Sequence, residues 1–570
     1  MTSGFSASGL WRPDPGTGSG GRDRAVRASG RPASTRPEEF GSPAAGTSGG
    51  PTGISLRRPA FLGMVATMVV VGGAVVGGRT FVSVLPGAWF FGSAGGPLGS
   101  FAAQGHTPPA VALLLVFGGL ILLTRTWLGL LRVLRRRPGV PVRRVVGVLA
   151  LWIIPLVIAP PLFSRDLYSY AGQGEMVSHH IDPYQYGTGV LGSTPFSSLP
   201  GPLWSNSPSP YGPVFLAADG AIADVVGHHE LADLVLLRLL ELGGLALVVG
   251  GLPTLARGWG RDPAEVVLLG AGSPLALTVL VGGGHNDALM VGLMVAGLAV
   301  AKRVGPVPGI VVCALAAGVK APAALAIVMI GWNWGPAGAS AVRRAIRALG
   351  ALGIGAATLA VVSALTGVGW GWTRNLGTAN QISTGVTPLS AVAHSIAGTA
   401  GLVGIPLSFA SARTVLDAIG IVCAAGICGW LLVRSPRLGP LRSLGLMLLV
   451  VSILSPILWA WYLTWGLIVL SVVATGWLRR TVIVITIAWT FIGTSSVEGI
   501  ANALWHTGVP ADLLLLIGLV GVALVPLGLA ADAEVEIGRS RPPEGNPSGG
   551  WPAIEAGNAQ GEPGGLPVGV

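Results

Sequence analysis

Along the chain, long apolar runs alternate with short polar breaks, and within each run the apolar residues are continuous instead of alternating one by one. Runs of about twenty apolar residues match the length a helix needs to cross roughly 30 Å of hydrocarbon. Strands of a membrane barrel would show a period of two, so the pattern predicts an all-α polytopic membrane protein. Spans are expected near 59–79, 108–131, 145–163, 231–255, 264–281, 288–301, 306–319, 321–334, 346–368, 411–433, 443–457, 462–477, 481–494 and 511–529. Several are short enough for neighbouring pairs to be re-entrant, so the expected bundle has about 12–14 transmembrane helices.

The ends have another character. Residues 1–55 are rich in Gly, Pro, Ser, Thr and Arg, and residues 531–570 are Gly/Pro-rich and mildly acidic. Neither pattern supports a core, so both are expected to be disordered cytoplasmic tails around a single membrane domain, 56–530. The first apolar run starts too late and is too long for a cleaved leader, so it is expected to stay as an anchor.

Composition agrees with the membrane reading. The 570 residues are 51% hydrophobic and 10% charged, with a mean hydropathy of +0.69, whereas soluble domains carry roughly a quarter charged residues. The net charge of +11 does not point to nucleic acid, because the arginines of the core cluster beside apolar runs, at 132–144, 257–261, 302–303, 343–347, 434–442 and 479–480. One threading places all these clusters in the cytoplasm. It sends all eight histidines to the outer side and makes 164–230 a long extracytoplasmic loop, a length usual for a functional loop or a small structured insertion.

Polar residues in such a chain carry the chemistry. Asp166 follows "PLFS" where the third span should emerge, a costly place for an acid unless it faces a cavity or caps the next helix. After Arg165, the run "DLYSYAGQGEMVSHH" reads as an amphipathic helix with Asp166, Tyr170 and Gln173 roughly on one side. "IDPYQYGTG" and "SPSPYGPVF" present Asp182, Tyr184, Tyr186 and Tyr211 from stiff turns, suited to sugar faces or to the aromatic belt. "GGGHNDALM" places His285, Asn286 and Asp287 at the outer end of a span, as ligands or as a cap. Lys320 is one of two lysines against thirty-three arginines, and a cation at a membrane boundary either meets a phosphate or snorkels. "LSPILWAWYLTW" supplies Trp459, Trp461, Tyr462 and Trp465, for stacking on a sugar or for the belt. Arg238 and Glu241, three apart within a span, are expected to pair structurally.

Absences narrow the field. The sequence has no Walker loop, no GxGxxG before a nucleotide domain, no zinc or haem spacing and no DxD acid pair in the first large loop. Cys313, Cys423 and Cys428 sit inside apolar runs. No cofactor and no metal site is therefore assigned, and an activated donor would come from the membrane lipid.

The run "SRDLYSYAGQGEMVSHHIDPYQYG", with "SPSPYGPVF", "GGGHNDALM", "GVKAPAAL" and "LSPILWAWYLTW", resembles the polyprenol-phosphate-mannose-dependent α-1,6-mannosyltransferases of actinobacterial envelopes. The resemblance covers most of 60–530. It implies a GT-C glycosyltransferase bundle in the plasma membrane, with an outward-facing site that extends the mannan of lipomannan or lipoarabinomannan-type lipoglycans. The partners it implies are a polyprenyl-phosphate-mannose donor, a mannan lipoglycan acceptor and the bilayer. By the same resemblance the proposed base falls on Asp166. Arg165, Lys320 and His285 become candidates for the donor phosphate, and Tyr168, Tyr170, Asp182, Tyr184, Tyr211, Asn286, Asp287, Trp459 and Tyr462 for the sugars. The alternatives are a GT-C transferase for another polyprenyl-linked sugar and a glycolipid flippase or transporter, the latter favoured by inverted repeats and polar groups at the midplane; instead, the polar motifs collect at one face.

Overall fold

The computed structural model describes residues 55–76, 109–336, 338–377 and 387–493, and it is helical throughout with no strand among them. The expected last span, 511–529, and both expected tails save Ser55 lie outside the described residues, as do His106 and His506. Helix α1 (Arg57–Val76) packs against α2 (Pro109–Arg136) and α3 (Val142–Ile158). The Trp152 indole of α3 fills the space over Gly63 and donates to the Pro59 carbonyl at 3.1 Å.

Between α3 and the next long helix lies a structured insertion. It holds α4 (Asp166–Ser178), three short helical turns and α5 (Pro213–Val226), which packs along α4. Then follow α6 (Glu230–Gly258), α7 (Pro263–Leu269), α8 (Pro274–Gly282) and α9 (Asp287–Arg303). Helices α6 and α9 approach closely through Gly244 and Gly292: a Cβ on Gly292 would stand 2.1 Å from the Gly244 carbonyl oxygen. Burial of apolar surface does little to join helices in lipid, so such small-residue contacts carry the packing.

The expected span 264–281 is broken. α7 and α8 meet at a 53° bend, and α8 ends in a π-helical turn, Leu277–Gly282. Widened turns of this kind leave carbonyls out of the regular ladder. Arg238, from the N-terminal third of α6, secures the break. Its guanidinium donates to the Leu156, Val157 and Ala159 carbonyls at 2.7, 2.9 and 2.8 Å, and to the Gly282 carbonyl at 3.2 Å. The first three acceptors are the orphan carbonyls at the end of α3, which Pro160 and Pro161 prevent from continuing. The Arg238–Glu241 pairing expected from spacing takes a through-space form: the guanidinium donates to backbone carbonyls and neither Glu241 oxygen accepts a hydrogen bond, yet the two buried charges act on each other.

The remaining described helices are α10 (Pro306–Ala317), α11 (Ala324–Trp332), α12 (Ala341–Thr366), α13 (Pro388–Leu402), α14 (Phe409–Leu438), α15 (Pro440–Leu454), α16 (Ala460–Ser471) and α17 (Gly476–Ile492). Five described helices are long and apolar enough to cross a membrane, six if α7 and α8 form one bent span. The short pair α10 and α11 brackets Lys320, and α15 and α16 bracket Trp459, so proline-containing breaks deliver the two motifs to the bundle interior.

Candidate active site

Asp166 opens α4. Its backbone N–H donates to Ser164 Oγ at 3.1 Å, and Tyr170, one turn on, donates its hydroxyl to Asp166 Oδ2 at 3.4 Å. The carboxylate faces His285 across 3.7 Å, from Oδ2 to Nε2. Gly284 supplies the turn that presents this imidazole: its φ of +67° lies in the left-handed region, which a side chain disfavours. His285 Nδ1 lies 2.6 Å from the Val279 carbonyl, an oxygen of the π turn. Because a carbonyl only accepts, Nδ1 carries the proton, and Nε2 is the atom turned toward Asp166.

Aromatic rings continue the construction. Trp461 stacks on the His285 imidazole at 3.8 Å, and Trp459 stacks on Trp461 at 4.9 Å. Tyr462 meets Trp461 edge-on and stacks with Trp465 at 4.4 Å. The Trp465 indole N–H donates to Asp287 Oδ1, and the same carboxylate receives Lys320 Nζ at 3.1 and 2.9 Å. Lys320 is boxed by the rings of Tyr462, Trp465 and Tyr211, at 4.8, 5.6 and 5.7 Å. Tyr211 packs edge-on against Tyr170 at 5.3 Å, which closes a ring of side chains back to Asp166.

Two groups beside this ring have unspent capacity. Asn286 is fully buried, yet neither its oxygen nor its nitrogen has a hydrogen-bond partner. Glu241, also buried, reaches the same loop: a Cβ on Gly284 would lie 3.2 Å from its Oε2. Buried polar groups without partners are expensive, and a site awaiting a polar ligand is one place where they persist. Next to the ring, Lys320, Tyr211, Tyr462 and Trp465 line a cavity of about 400 Å³ whose other walls include Leu325, Val451 and Ile457.

The structure thus gathers Asp166, Tyr170, Tyr211, His285, Asn286, Asp287, Lys320, Trp459 and Tyr462 from five separate stretches of sequence. It does not bring in Asp182 and Tyr184. Asp182 accepts from the Tyr184 N–H at 2.8 Å and from Gln185 Nε2 at 2.9 Å, forming an Asx turn. Both residues line a separate cavity of about 690 Å³ with His180, Trp370 and Arg374. Burial there, reinforced by the Asp182 charge, raises the pKa of the Tyr184 hydroxyl. Tyr168 stands two residues beyond Asp166 and so projects from the opposite side of α4. The Arg165 guanidinium lies along Gly201, where a Cβ would stand 2.7 Å from Nη1. The spacing of Glu241 from Arg238 suggests a structural pair and gives no sign of its position beside Gly284. Trp461 and Trp465 resemble belt residues until their partners are seen.

Fold and site define a polytopic helical membrane protein with an enclosed acid–histidine centre. Residues 60–336 match the alpha-(1->6)-mannopyranosyltransferase N-terminal domain, and residues 389–521 match the MptB C-terminal domain. A probable alpha-(1->6)-mannopyranosyltransferase of Mycolicibacterium smegmatis is 34% identical over 394 residues, 62% of this chain and 69% of the relative. Alpha-(1->6)-mannopyranosyltransferase A of Mycobacterium tuberculosis is 33% identical over 363 residues, 61% of this chain and 68% of the relative. Alpha-(1->6)-mannopyranosyltransferase B of Corynebacterium glutamicum is 27% identical over 363 residues, 58% of each chain. The chain belongs to the alpha-(1->6)-mannopyranosyltransferase family. No solved structure matches it significantly.

Proposed function

We propose that this protein transfers mannose from polyprenyl-phosphate-mannose to an α-1,6-mannan acceptor of a cell-envelope lipoglycan, at a site facing the outer side of the plasma membrane. The observation that carries the reading is the buried approach of Asp166 to His285, beside a cavity that pairs one cation with aromatic and aliphatic walls. Family membership supplies the sugar and the linkage; the lysine, the rings and the apolar wall suit a mannosyl phosphate on an isoprenoid chain.

In this mechanism the acceptor hydroxyl attacks C1 of a β-mannosyl phosphate while the C1–O bond to phosphate breaks. A single displacement inverts C1 and leaves an α linkage. The hydroxyl proton passes to the Asp166 carboxylate, and the polyprenyl phosphate departs with the bonding electrons. His285, held by the Val279 carbonyl and the Trp461 face, stands beside that carboxylate with Nε2 making no hydrogen bond, so that this nitrogen is open to a substrate hydroxyl. Lys320 meets the charge growing on the leaving phosphate, in a site where aromatic walls keep water from screening it. Asn286 offers both a donor and an acceptor to a sugar hydroxyl.

The test is transfer from polyprenyl-phosphate-mannose to a short α-1,6-mannoside in membranes with matched amounts of wild-type protein or Asp166→Asn. Transfer by the first and not the second supports the reading. Equal transfer by both removes Asp166 as base, and no transfer by either overturns the donor assignment.

A further inference from the structure

Away from the ring, at the other end of α4, three potential metal ligands converge. Glu175 on α4 and His179, the residue that caps its C-terminus, are four apart and share one side of the helix. His228 arrives from the turn between α5 and α6, where Gly227 ends α5 in the left-handed conformation and His228 itself has a φ of +63°. A non-glycine residue in that region is uncommon. The turn carries His228 onto Glu175: its Nδ1 lies 2.9 Å from Oε2, while His179 Nδ1 lies 3.6 Å from Oε1. One ligand atom from each of the three falls within 4.8 Å of the others, and the two imidazole rings are 4.9 Å apart.

The surroundings favour a cation more strongly than a hydrogen-bonded triad alone requires. Asp233, in the first turn of α6, is buried, and neither of its carboxylate oxygens accepts a hydrogen bond. It is close enough for its charge to interact with those of Glu175 and His228. Asp219 on α5, also buried and without hydrogen bonds, interacts electrostatically with Asp233. Buried carboxylates without a counter-charge are costly. A dication at Glu175 would offset that cost, with the half-exposed histidines, 51% and 44% accessible, as its route of entry.

We propose that Glu175, His179 and His228 form a binding site for a dication of the zinc class, with buried Asp233 as charge complement. Two imidazoles and one carboxylate are a donor set that Zn²⁺ accepts with a fourth position open, and one that Mg²⁺, which prefers oxygen ligands, disfavours. For His228 Nδ1 to ligate the ion, any proton on that nitrogen must leave it, so the ion takes the place of the His228–Glu175 hydrogen bond. The ion fastens the C-terminal end of α4 to the α5–α6 turn. Its role is to hold the helix that carries Asp166; it takes no part in the transfer step.

The experiment is calorimetric titration of ZnCl2 into detergent-purified, chelator-treated full-length protein whose purification tag contains no histidines. One ion per chain is expected for the wild type, with affinity lowered at least about tenfold by Glu175→Gln, His179→Ala or His228→Ala. Thermal unfolding should shift upward with Zn²⁺ in the wild type and not in His228→Ala. His180→Ala, one residue away, should bind as the wild type does. The half-exposed rings of His179 and His228 make their variants folding-tolerant probes, checked by an unchanged elution profile. No saturable binding by the wild type, or unchanged affinity in the His179→Ala/His228→Ala double variant, overturns the proposal.

Discussion

Lys320 and Asp287, 33 residues apart in sequence, meet with Nζ 2.9 Å from one carboxylate oxygen and 3.1 Å from the other. The Asp287 side chain has no solvent exposure and that of Lys320 has 13%. Breaking such a pair by removing one partner typically costs about 3–5 kcal/mol, because the other charge is stranded. Lys320→Met and Asp287→Asn are each expected to lower the unfolding midpoint of the purified protein. The double variant should lose less than the sum of the two, and strict additivity would show that the pair is not coupled.

His285 is held by two different contacts, a hydrogen bond through Nδ1 and a stack through its face. His285→Phe keeps the stack and loses both nitrogens, so transfer should fall while the protein stays folded. Trp461→Phe preserves a stacking surface and should reduce transfer only a few-fold, whereas Trp461→Ala forfeits a contact worth about 0.5–1.5 kcal/mol. Initial rates with membranes of matched protein content separate these cases. Equal rates for the two Trp461 variants would mean the stack does not position the imidazole.

Asp166→Asn retains shape and removes the basic oxygen. If Asp166 is the base, the rate should fall by about 10²–10⁴-fold, with thermal unfolding nearly unchanged. A large loss of stability in place of a loss of rate would assign the carboxylate to the architecture.

Arg238 satisfies four carbonyls at the junction of α3, α6 and the broken α8. Arg238→Met removes this donor from the Leu156, Val157 and Ala159 carbonyls, while the Gly282 carbonyl keeps the Leu162 N–H, at a cost on the order of 1–3 kcal/mol for each that is stranded in a buried position. The yield of monodisperse protein should drop sharply. Glu241→Gln, which removes a carboxylate that accepts no hydrogen bond and acts on Arg238 only through space, should lower the yield less.

Gly292 tests the packing of α6 on α9. Gly292→Leu forces side-chain atoms into the Gly244 backbone and should prevent accumulation in the membrane. Gly350→Ala, at a glycine whose Cβ would meet open space, should accumulate normally.

Much of this architecture was legible because ionisable residues are rare in an apolar chain. Asp166, Lys320 and the "HND" triplet stand out in the sequence for that reason, and they meet in the fold. Asp182 and Tyr184 stand out equally but belong elsewhere: the Asx turn that makes "IDPY" conspicuous also turns Asp182 back on its own backbone. Arg165 adjoins Asp166 in sequence, yet the start of a helix sends successive side chains in different directions. The partners of Glu175 were hidden for another reason. His228 lies 53 residues away, beyond the short spacings that advertise a metal site. The bend between α7 and α8 was also invisible, since an apolar run reads alike whether its helix is continuous or broken.

The widened turn at Leu277–Gly282 places one constraint on descent. A single-residue deletion there would mend the helix, and by local criteria the result would be a better helix. It would also draw the Val279 carbonyl into the ladder and rotate everything downstream by about 100°, leaving the imidazole of His285 without its anchor. Lineages that keep this centre are therefore expected to vary freely in residue type across the segment while conserving its count, so that length is the inherited character there and identity is secondary.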